Sequence, residues 1–305
     1  MIIDIRNGVK QFQRHWQLLL LLLPSFVYLI IFHYWPMYGV QIAFRDYNAV
    51  LGFFDSKWIG VRNFERFLNY PDFWRLVRNT LNITIYRLLA GFPFPVIIAI
   101  MINETRSQAY KRVVQVVTYI PHFISTVVLC GMVALFLDRD AGIFNLIGSL
   151  FGKEHVAFLT VPKYFQHIHV WSGIWQNTGW GTIIYLAALS QVDTQVVEAA
   201  LVDGASRMQR IVHVDLPHLT PTIVIQFLLS IGSLLNIGFE KVLLLQNDLN
   251  METSDVISTY VYRNGLLGGQ FSYTSAIDLF NTVINLLLLV LFNRISKRFT
   301  DTSMY

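Results

Sequence analysis

The sequence predicts an all-α integral membrane protein, with residues 1–305 forming one transmembrane domain. The composition gives the first indication, because 54% of the residues are hydrophobic and only 14% are charged. A soluble domain has about 25% charged residues, so this chain has too little polar surface for a globule of its size. The second indication is a set of six long apolar runs. The third is the position of the basic residues, which cluster at the ends of those runs.

Each apolar run is long enough to cross a membrane as a helix. A hydrocarbon core of ~30 Å requires about 20 helical residues. The runs lack period-two alternation, and open sheet edges cannot satisfy their hydrogen bonds in lipid, so helices are expected. The predicted spans lie near residues 16–35, 80–102, 113–137, 168–190, 218–239 and 273–293.

The basic residues predict that both termini are cytoplasmic. Equal numbers of Lys and Arg fall on the two sides, but short segments that flank the spans decide orientation. The segments "NETRSQAYKR" and "NRISKRF" are short and basic, and this orientation places them inside. Segment 191–217 is then cytoplasmic, and the long outer segments are expected to contain short helices. Outer segment 36–79 is rich in aromatic residues, which indicates either an interfacial stretch or a docking surface for an external partner.

Segment 191–217 contains the stretch "EAALVDGASRMQRIVHVDLP", which is more polar than its surroundings. It predicts two short helices around a glycine. Residues 194–203 favour the first helix, and Gly204 is suited to a left-handed C-cap. Ser206 and Gln209 have the spacing of a capping box for the second helix. We expect that helix to end at Leu216-Pro217, where the next span begins.

This stretch resembles the EAA signature of ABC importer permeases. The signature positions are Glu198, Ala199, Ala200, Gly204, Leu216 and Pro217, and Val214 takes the place of an Ile. Other stretches, such as "YIPHFISTVV" and "IWQNTGWGTIIYLAAL", look like permeases of the carbohydrate-uptake class. The resemblance is closest to the lipoprotein-dependent polysaccharide and multiple-sugar branch.

The resemblance implies a type I ABC importer permease fold in the bacterial plasma membrane. The chain would be the permease subunit of an ATP-driven importer of oligosaccharides or polysaccharide fragments, working by alternating access. Its implied partners are an ATP-binding ABC subunit that holds ATP and Mg, a second related permease, and an extracytoplasmic solute-binding lipoprotein. The ATPase-coupling residues would be Glu198, Ala199, Ala200, Asp203, Gly204, Val214, Leu216 and Pro217.

A set of polar and aromatic residues inside the predicted spans forms the candidate substrate path. Aromatic faces beside amides suit a sugar, whose C–H face stacks while its hydroxyls form hydrogen bonds. For Asn177 and Asn236, hydrogen bonding between helices is an equal alternative. Arg87 could instead form a structural pair with Asp278. The candidates are Arg87, Trp175, Gln176, Asn177, Trp180 and Asn236.

Several other functions are disfavoured by missing motifs. "GLLGGQ" lacks the Lys of a phosphate-binding loop, so ATP hydrolysis is expected on a partner chain. The histidines match no metal-ligand spacing, so we expect no metal site and no cofactor in this chain. We find no pairing of a nucleophile with a base, so we do not expect the chain to be an enzyme. The basic residues flank spans and do not indicate nucleic-acid binding. The alternative function is an ion- or proton-coupled secondary sugar transporter, which the shortage of carboxylates within the spans disfavours.

Overall fold

The computed structural model describes residues 16–17, 20–235 and 237–300, with side chains as far as residue 297. Most of these residues are helical, and several helices include a 3-10 or π turn. The helices are α1 (Leu20–Phe44), α2 (Arg62–Leu68), α3 (Phe73–Glu104), α4 (Gln108–Phe123), α5 (Thr126–Phe136), α6 (Ile143–Leu150), α7 (Pro162–Leu189), α8 (Thr194–Val202), α9 (Arg207–Gly232), α10 (Phe239–Leu245), α11 (Met251–Ser254), α12 (Ile257–Tyr262) and α13 (Phe271–Thr300). Strands β1 (Arg45–Asn48) and β2 (Gly52–Trp58) form an antiparallel hairpin between α1 and α2.

Four of the described helices are long and apolar enough to cross a membrane, namely α1, α3, α9 and α13. Helices α4 and α5 form a further apolar segment, but a bend of 101° separates them, so the predicted 113–137 span is broken or re-entrant. Helix α7 has 28 residues and covers the predicted 168–190 span as far as Leu189. Its amides, histidines and tryptophans make it less apolar than the other four. The count of six spans, like the orientation, therefore stays a prediction.

The spanning helices expose much of their apolar surface. The most apolar stretch of α1 has no residue buried inside the protein, and the corresponding stretch of α13 is only 11% buried. Exposed apolar surface of this extent is unfavourable in water and favourable in a lipid bilayer. The helices thus have the surface of a multi-pass membrane protein.

The β1–β2 hairpin corrects the all-α prediction. Arg45 pairs with Trp58 and Asn48 pairs with Gly52, which has a φ of +74° at the turn. The ring of Phe44 stacks on Trp58 with centroids 5.6 Å apart. The strands have only four and seven residues. At that length the alternation is weak, and the aromatic residues of the hairpin also suit a membrane interface or a docking surface for an external partner.

The start of α9 also differs from the prediction. The short helix that begins at Arg207 does not end at Leu216-Pro217, because the chain continues as one helix through a π turn at Ile211–Asp215. In this turn the Leu216 N–H donates to the Ile211 carbonyl. Pro217 has no backbone N–H to donate to the preceding turn. Because the π turn contains one extra residue at this point, the proline does not break the helix.

The far end of α9 is shorter than the predicted 218–239 span. The helix stops at Gly232, and a helix resumes only at Phe239. Gly238, immediately before α10, has a φ of +80°, a left-handed conformation that an α-helix cannot contain. The chain therefore turns here and enters α10 as a separate element.

Helix α7 packs closely against its neighbours through glycines. A Cβ at Gly179 would overlap the backbone carbonyl of Thr118 in α4, and a Cβ at Gly181 would lie 3.0 Å from Pro95 in α3. An apolar cluster joins α3, α7 and α9 near this level, with Leu219 fully buried. Close backbone approach through small residues is typical of helix packing in membranes. It fixes α7 beside α3 and α4.

Candidate functional site

The chain has two candidate functional regions, and the first is the coupling unit, defined as residues 193–217. Asp193 caps the start of helix α8, and its side chain accepts a hydrogen bond from the Gln195 N–H at 2.8 Å. The helix ends at Val202, and Gly204 has the predicted left-handed conformation, with a φ of +79°. The Ala205 N–H then donates to the Ala200 carbonyl at 2.9 Å, which is the long bond of a Schellman motif.

The second half of the coupling unit contains the predicted capping box. The Gln209 N–H donates to the Ser206 Oγ, and the Ser206 N–H donates to the Gln209 Oε1 at 2.8 Å. Both ends of the connection between α8 and α9 therefore have satisfied backbone groups. The unit has a defined shape without any contact from another chain.

The predicted coupling residues lie at the surface of this unit. Those exposed are Glu198, Ala199, Asp203, Gly204 and Pro217, and those half-buried are Ala200, Val214 and Leu216. Large apolar side chains beside them are also exposed. Val202 is 87% exposed and Met208 is 68% exposed. A polar segment with exposed apolar side chains has the composition of a protein–protein contact surface.

An ion cluster that the sequence analysis missed holds the coupling unit against α3. The guanidinium of Arg210 forms a salt bridge with Glu104, and its Nε lies 3.7 Å from the Asp215 Oδ2. All three side chains are largely buried. Glu104 is far from Arg210 in sequence, so no local spacing indicates the pair. The cluster connects the start of α9 with the end of α3.

The second candidate region is a cavity of about 1420 Å³, called here the large cavity. It lies between α3, α7, α9, α10 and the break between α4 and α5. The structure brings four of the predicted path residues to its wall, namely Arg87, Gln176, Asn177 and Trp180. Trp175 does not line it and is exposed elsewhere on α7. Asn236 lies outside the described residues.

The wall of the large cavity contains an aromatic and amide surface. His122 stacks on Trp180 with ring centroids 4.6 Å apart and an angle of 6° between the planes. The His122 Nδ1 lies 3.1 Å from the Asn177 Oδ1, and the Gln176 Nε2 donates to the Ile124 carbonyl at 2.9 Å. These contacts hold Trp180 and both amides in fixed positions. The flat apolar face of the stacked rings, with the polar amides beside it, is suited to a sugar ring.

The sequence did not indicate the three buried polar or charged residues that the structure describes in the cavity wall, which are Thr84, His169 and Lys241. Lys241 follows the end of the fifth apolar run, and no motif marks it. The Lys241 Nζ donates to the His169 carbonyl at 2.9 Å, which joins α10 to α7. Asp278, the alternative partner of Arg87, does not line the cavity. Among the described residues there is no group of three or more His, Cys, Asp or Glu that could hold a metal ion.

Comparison with known proteins identifies relatives over most of the chain. The family model described as "Binding-protein-dependent transport system inner membrane component" matches residues 91–300. Protein LplB of Bacillus subtilis (strain 168) is 44% identical over 94% of this chain and 91% of its own length. The polygalacturonan/rhamnogalacturonan transport system permease protein YteP of the same organism is 40% identical over 94% of this chain and 90% of its own.

Solved structures resemble the fold closely. A bacterial ABC transporter involved in the import of the acidic polysaccharide alginate has a chain with a TM-score of 0.89 and 39% identity. The match covers 96% of this chain and 99% of that chain. The same TM-score and identity hold for a bacterial alginate ABC transporter in complex with an alginate pentasaccharide-bound periplasmic protein, with 97% of this chain covered.

Proposed function

We propose a function for the chain from one premise: it belongs to the family of binding-protein-dependent transport system inner membrane components. Members of this family are transport subunits, and the fold is that of ABC importer permeases. In our proposal the chain imports oligosaccharides or polysaccharide fragments by alternating access. A separate ATPase, which binds ATP and Mg, drives the change between the two open states.

The observation that carries this proposal is the coupling unit. It is internally capped, connected to α3 through Arg210, and exposes Val202 and Met208 at its surface. An exposed apolar surface on a rigid element is suited to binding by a partner. We propose that the ATPase binds here and that Glu198, Asp203 and Gly204 meet its surface. Motion of the ATPase would then reach the helices around the large cavity through the start of α9.

The topology in this proposal has six spans with both termini in the cytoplasm. The bent α4–α5 pair and the less apolar α7 would be the third and fourth spans. This arrangement puts the coupling unit on the cytoplasmic side, where ATP is available. The β1–β2 hairpin and helices α2, α6 and α11 would lie outside, where a solute-binding lipoprotein delivers the sugar.

The large cavity supports a sugar as the transported molecule. Its volume exceeds the range of about 300–1000 Å³ that is typical of small-molecule pockets, so it has room for more than one sugar unit. Trp180 and His122 offer an aromatic face, and Asn177 and Gln176 offer amides. A second related permease would supply the remaining wall of the path.

The proposal is tested by uptake in vesicles that contain the complete transporter. Gly204→Pro should abolish uptake and the stimulation of ATPase activity, because proline cannot adopt the φ of +79°. Glu198→Lys should reduce both, because it reverses the charge of an exposed residue at the contact surface. Glu198→Lys should still insert and assemble, since the exposed Glu198 side chain forms no salt bridge among the described residues.

The matched control is Glu154→Lys, which reverses an exposed charge outside the coupling unit. Normal uptake by both coupling variants would contradict the proposal. Uptake that persists after ATP depletion but collapses with a protonophore would instead favour an ion- or proton-coupled secondary transporter. The same vesicles therefore distinguish the two functions.

A further inference from the structure

The wall of the large cavity includes three buried polar side chains from three helices. Thr84 of α3 is 1% exposed, His169 of α7 is 3% exposed, and Lys241 of α10 is 8% exposed. Lys is almost never buried to this extent unless it is paired. These residues therefore require an explanation beyond helix packing.

The hydrogen bonds of these side chains are incomplete within the described residues. Among the described residues, the Thr84 Oγ1 and both ring nitrogens of His169 have no hydrogen-bond partner. The one acceptor of the Lys241 ammonium in this part of the chain is the His169 carbonyl, and no described carboxylate lies within 4 Å of it. Buried polar groups are normally paired, and unsatisfied ones are costly. Their shared position on the wall of one cavity points to a ligand that completes them.

The charge of this cluster identifies the ligand class. Arg87 lies on the same helix as Thr84 and also lines the large cavity, so a second positively charged side chain is present on this wall. The only acidic residue of the cavity wall among those described is Glu240, which is exposed and forms no salt bridge with Lys241. A neutral sugar would leave the buried ammonium without a counter-charge. A carboxylate would supply it and would accept hydrogen bonds from the hydroxyl and imidazole as well.

We propose that the large cavity binds an acidic sugar unit, a uronate, whose carboxylate lies against Lys241, His169 and Thr84, with Arg87 adding a second positive charge. This inference rests on the proposed function and gives it a substrate class. The aromatic face of Trp180 and His122 binds a sugar ring, whether neutral or acidic, and the buried cluster selects for the acidic one. Lys241 is the residue that determines this selectivity.

The inference is tested by the ratio of two uptake rates in vesicles with the complete transporter and its binding protein. The probes are trigalacturonate and the same trisaccharide with its carboxyl groups reduced to alcohols. Wild-type protein should transport trigalacturonate at least about tenfold faster. Lys241→Gln should lower that ratio by about tenfold, through slower uptake of the acidic probe. Because the binding protein is the same in both vesicles, a changed ratio reports on the cavity.

Two variants serve as comparisons. Lys163→Gln removes an exposed positive charge outside the cavity and should leave the ratio unchanged. Gly173→Ala keeps every charge, but its new methyl group would lie 3.2 Å from the Lys241 Nζ and must displace it. Alanine also suits a helix better than glycine, so this variant should fold. Its ratio should fall by a few fold, and it tests the inference even where Lys241→Gln does not assemble.

The outcomes separate this inference from the proposed function. An equal loss of uptake for both probes in Lys241→Gln would assign Lys241 a structural role and overturn the inference. A wild-type ratio near one, or a ratio unchanged by both cavity variants, would overturn it as well. Those results would leave ATP-dependent import intact. The absence of ATP-dependent uptake of both probes would instead count against the proposed function.

Discussion

The coupling unit and the large cavity are built in opposite ways. In the coupling unit the bonds that set the shape join residues close in sequence, such as Ser206 with Gln209 and Ala205 with Ala200. In the cavity the residues that meet come from distant positions, and Lys241 contacts the backbone of His169 on another helix. Local bonds make the coupling unit a small rigid element. The cavity exists only while the helices around it are correctly packed.

This difference leads to opposite expectations for substitutions. A change in the helix packing should damage the whole bundle and therefore the cavity. A change in the coupling unit should act locally and should affect transport more than stability. The following substitutions test this contrast, starting with the largest expected effect.

The largest effect is expected for Gly179→Ala. The added Cβ would overlap the Thr118 carbonyl, and backbone atoms cannot move aside as a flexible side chain can. Helices α7 and α4 would have to separate, which we expect to lower the free energy of unfolding by at least about 3 kcal/mol. The measurement is the thermal unfolding midpoint of the purified transporter in detergent.

The control for this substitution is Gly131→Ala in α5. A Cβ at Gly131 would meet no atom within 4 Å, and alanine is the better helix former. Its unfolding midpoint should be unchanged or slightly higher. If the Gly179→Ala protein is as stable as this control, the packing of α7 against α4 tolerates the added methyl group. That result would contradict the expectation that the cavity region is more sensitive to packing changes than the coupling unit.

An intermediate effect is expected for Arg210→Gln, which breaks the connection between the two regions. The substitution leaves the carboxylates of Glu104 and Asp215 largely buried without their cation. We expect a loss of about 2 kcal/mol in the free energy of unfolding, together with weaker uptake. The double variant Glu104→Gln with Arg210→Gln should recover part of the stability, since it removes one of the two carboxylates that lost their cation.

The matched control is Arg207→Gln, because Arg207 is exposed on the same helix and forms no salt bridge among the described residues. It should change stability by no more than about 0.5 kcal/mol. Equal effects from the two arginine substitutions would mean that net charge matters here and that the cluster with Glu104 does not.

The contrast also explains what the sequence could predict. The C-cap at Gly204 and the capping box of Ser206 and Gln209 were predictable because each depends on residues within a few positions. Residue type and position within a predicted span were enough to propose Gln176 and Trp180 for the substrate path. Both residues share a face of α7 and line the cavity. The π turn that joins the coupling unit to α9 was not predictable, since proline near a helix start usually marks a boundary.

Contacts between elements that are far apart in the chain could not be predicted from the sequence. Nothing near Lys241 indicates that its ammonium meets the His169 carbonyl, and nothing near Arg210 indicates Glu104. The β1–β2 hairpin was missed for another reason, because its strands are short and its aromatic residues also suit a membrane interface. Trp175 was proposed for the path on residue type and depth, but the rotation of α7 within the bundle directs it away from the cavity.

A smaller effect is expected for Ser206→Ala within the coupling unit. The substitution removes the side-chain acceptor for the Gln209 N–H and should destabilise the first turn of α9 by about 1 kcal/mol. Hydrogen exchange should become faster for the amides of Gln209 and Arg210, which bond to Ser206, with no change in the unfolding midpoint. A lowered midpoint would mean that the coupling unit is not a locally determined element.

The smallest effect is expected at Asp138, a second structure built from adjacent residues. Its Oδ1 accepts hydrogen bonds from the Ala141 N–H at 2.8 Å and the Asp140 N–H at 2.9 Å, and these bonds hold the pKa of the Asp138 carboxyl below its usual value of 3.8. Because the folded pKa is lowered, the stabilising contribution is present above pH 3.8 and is lost as the pH falls through the folded value. Protection of both amides from hydrogen exchange, corrected for the intrinsic rate, should thus stay constant from pH 7 to about pH 4 and decline below it. In Asp138→Asn, whose side chain does not titrate, the protection should be weaker and independent of pH. A decline of the wild-type protection already between pH 7 and 5 would mean that a group outside this turn controls it.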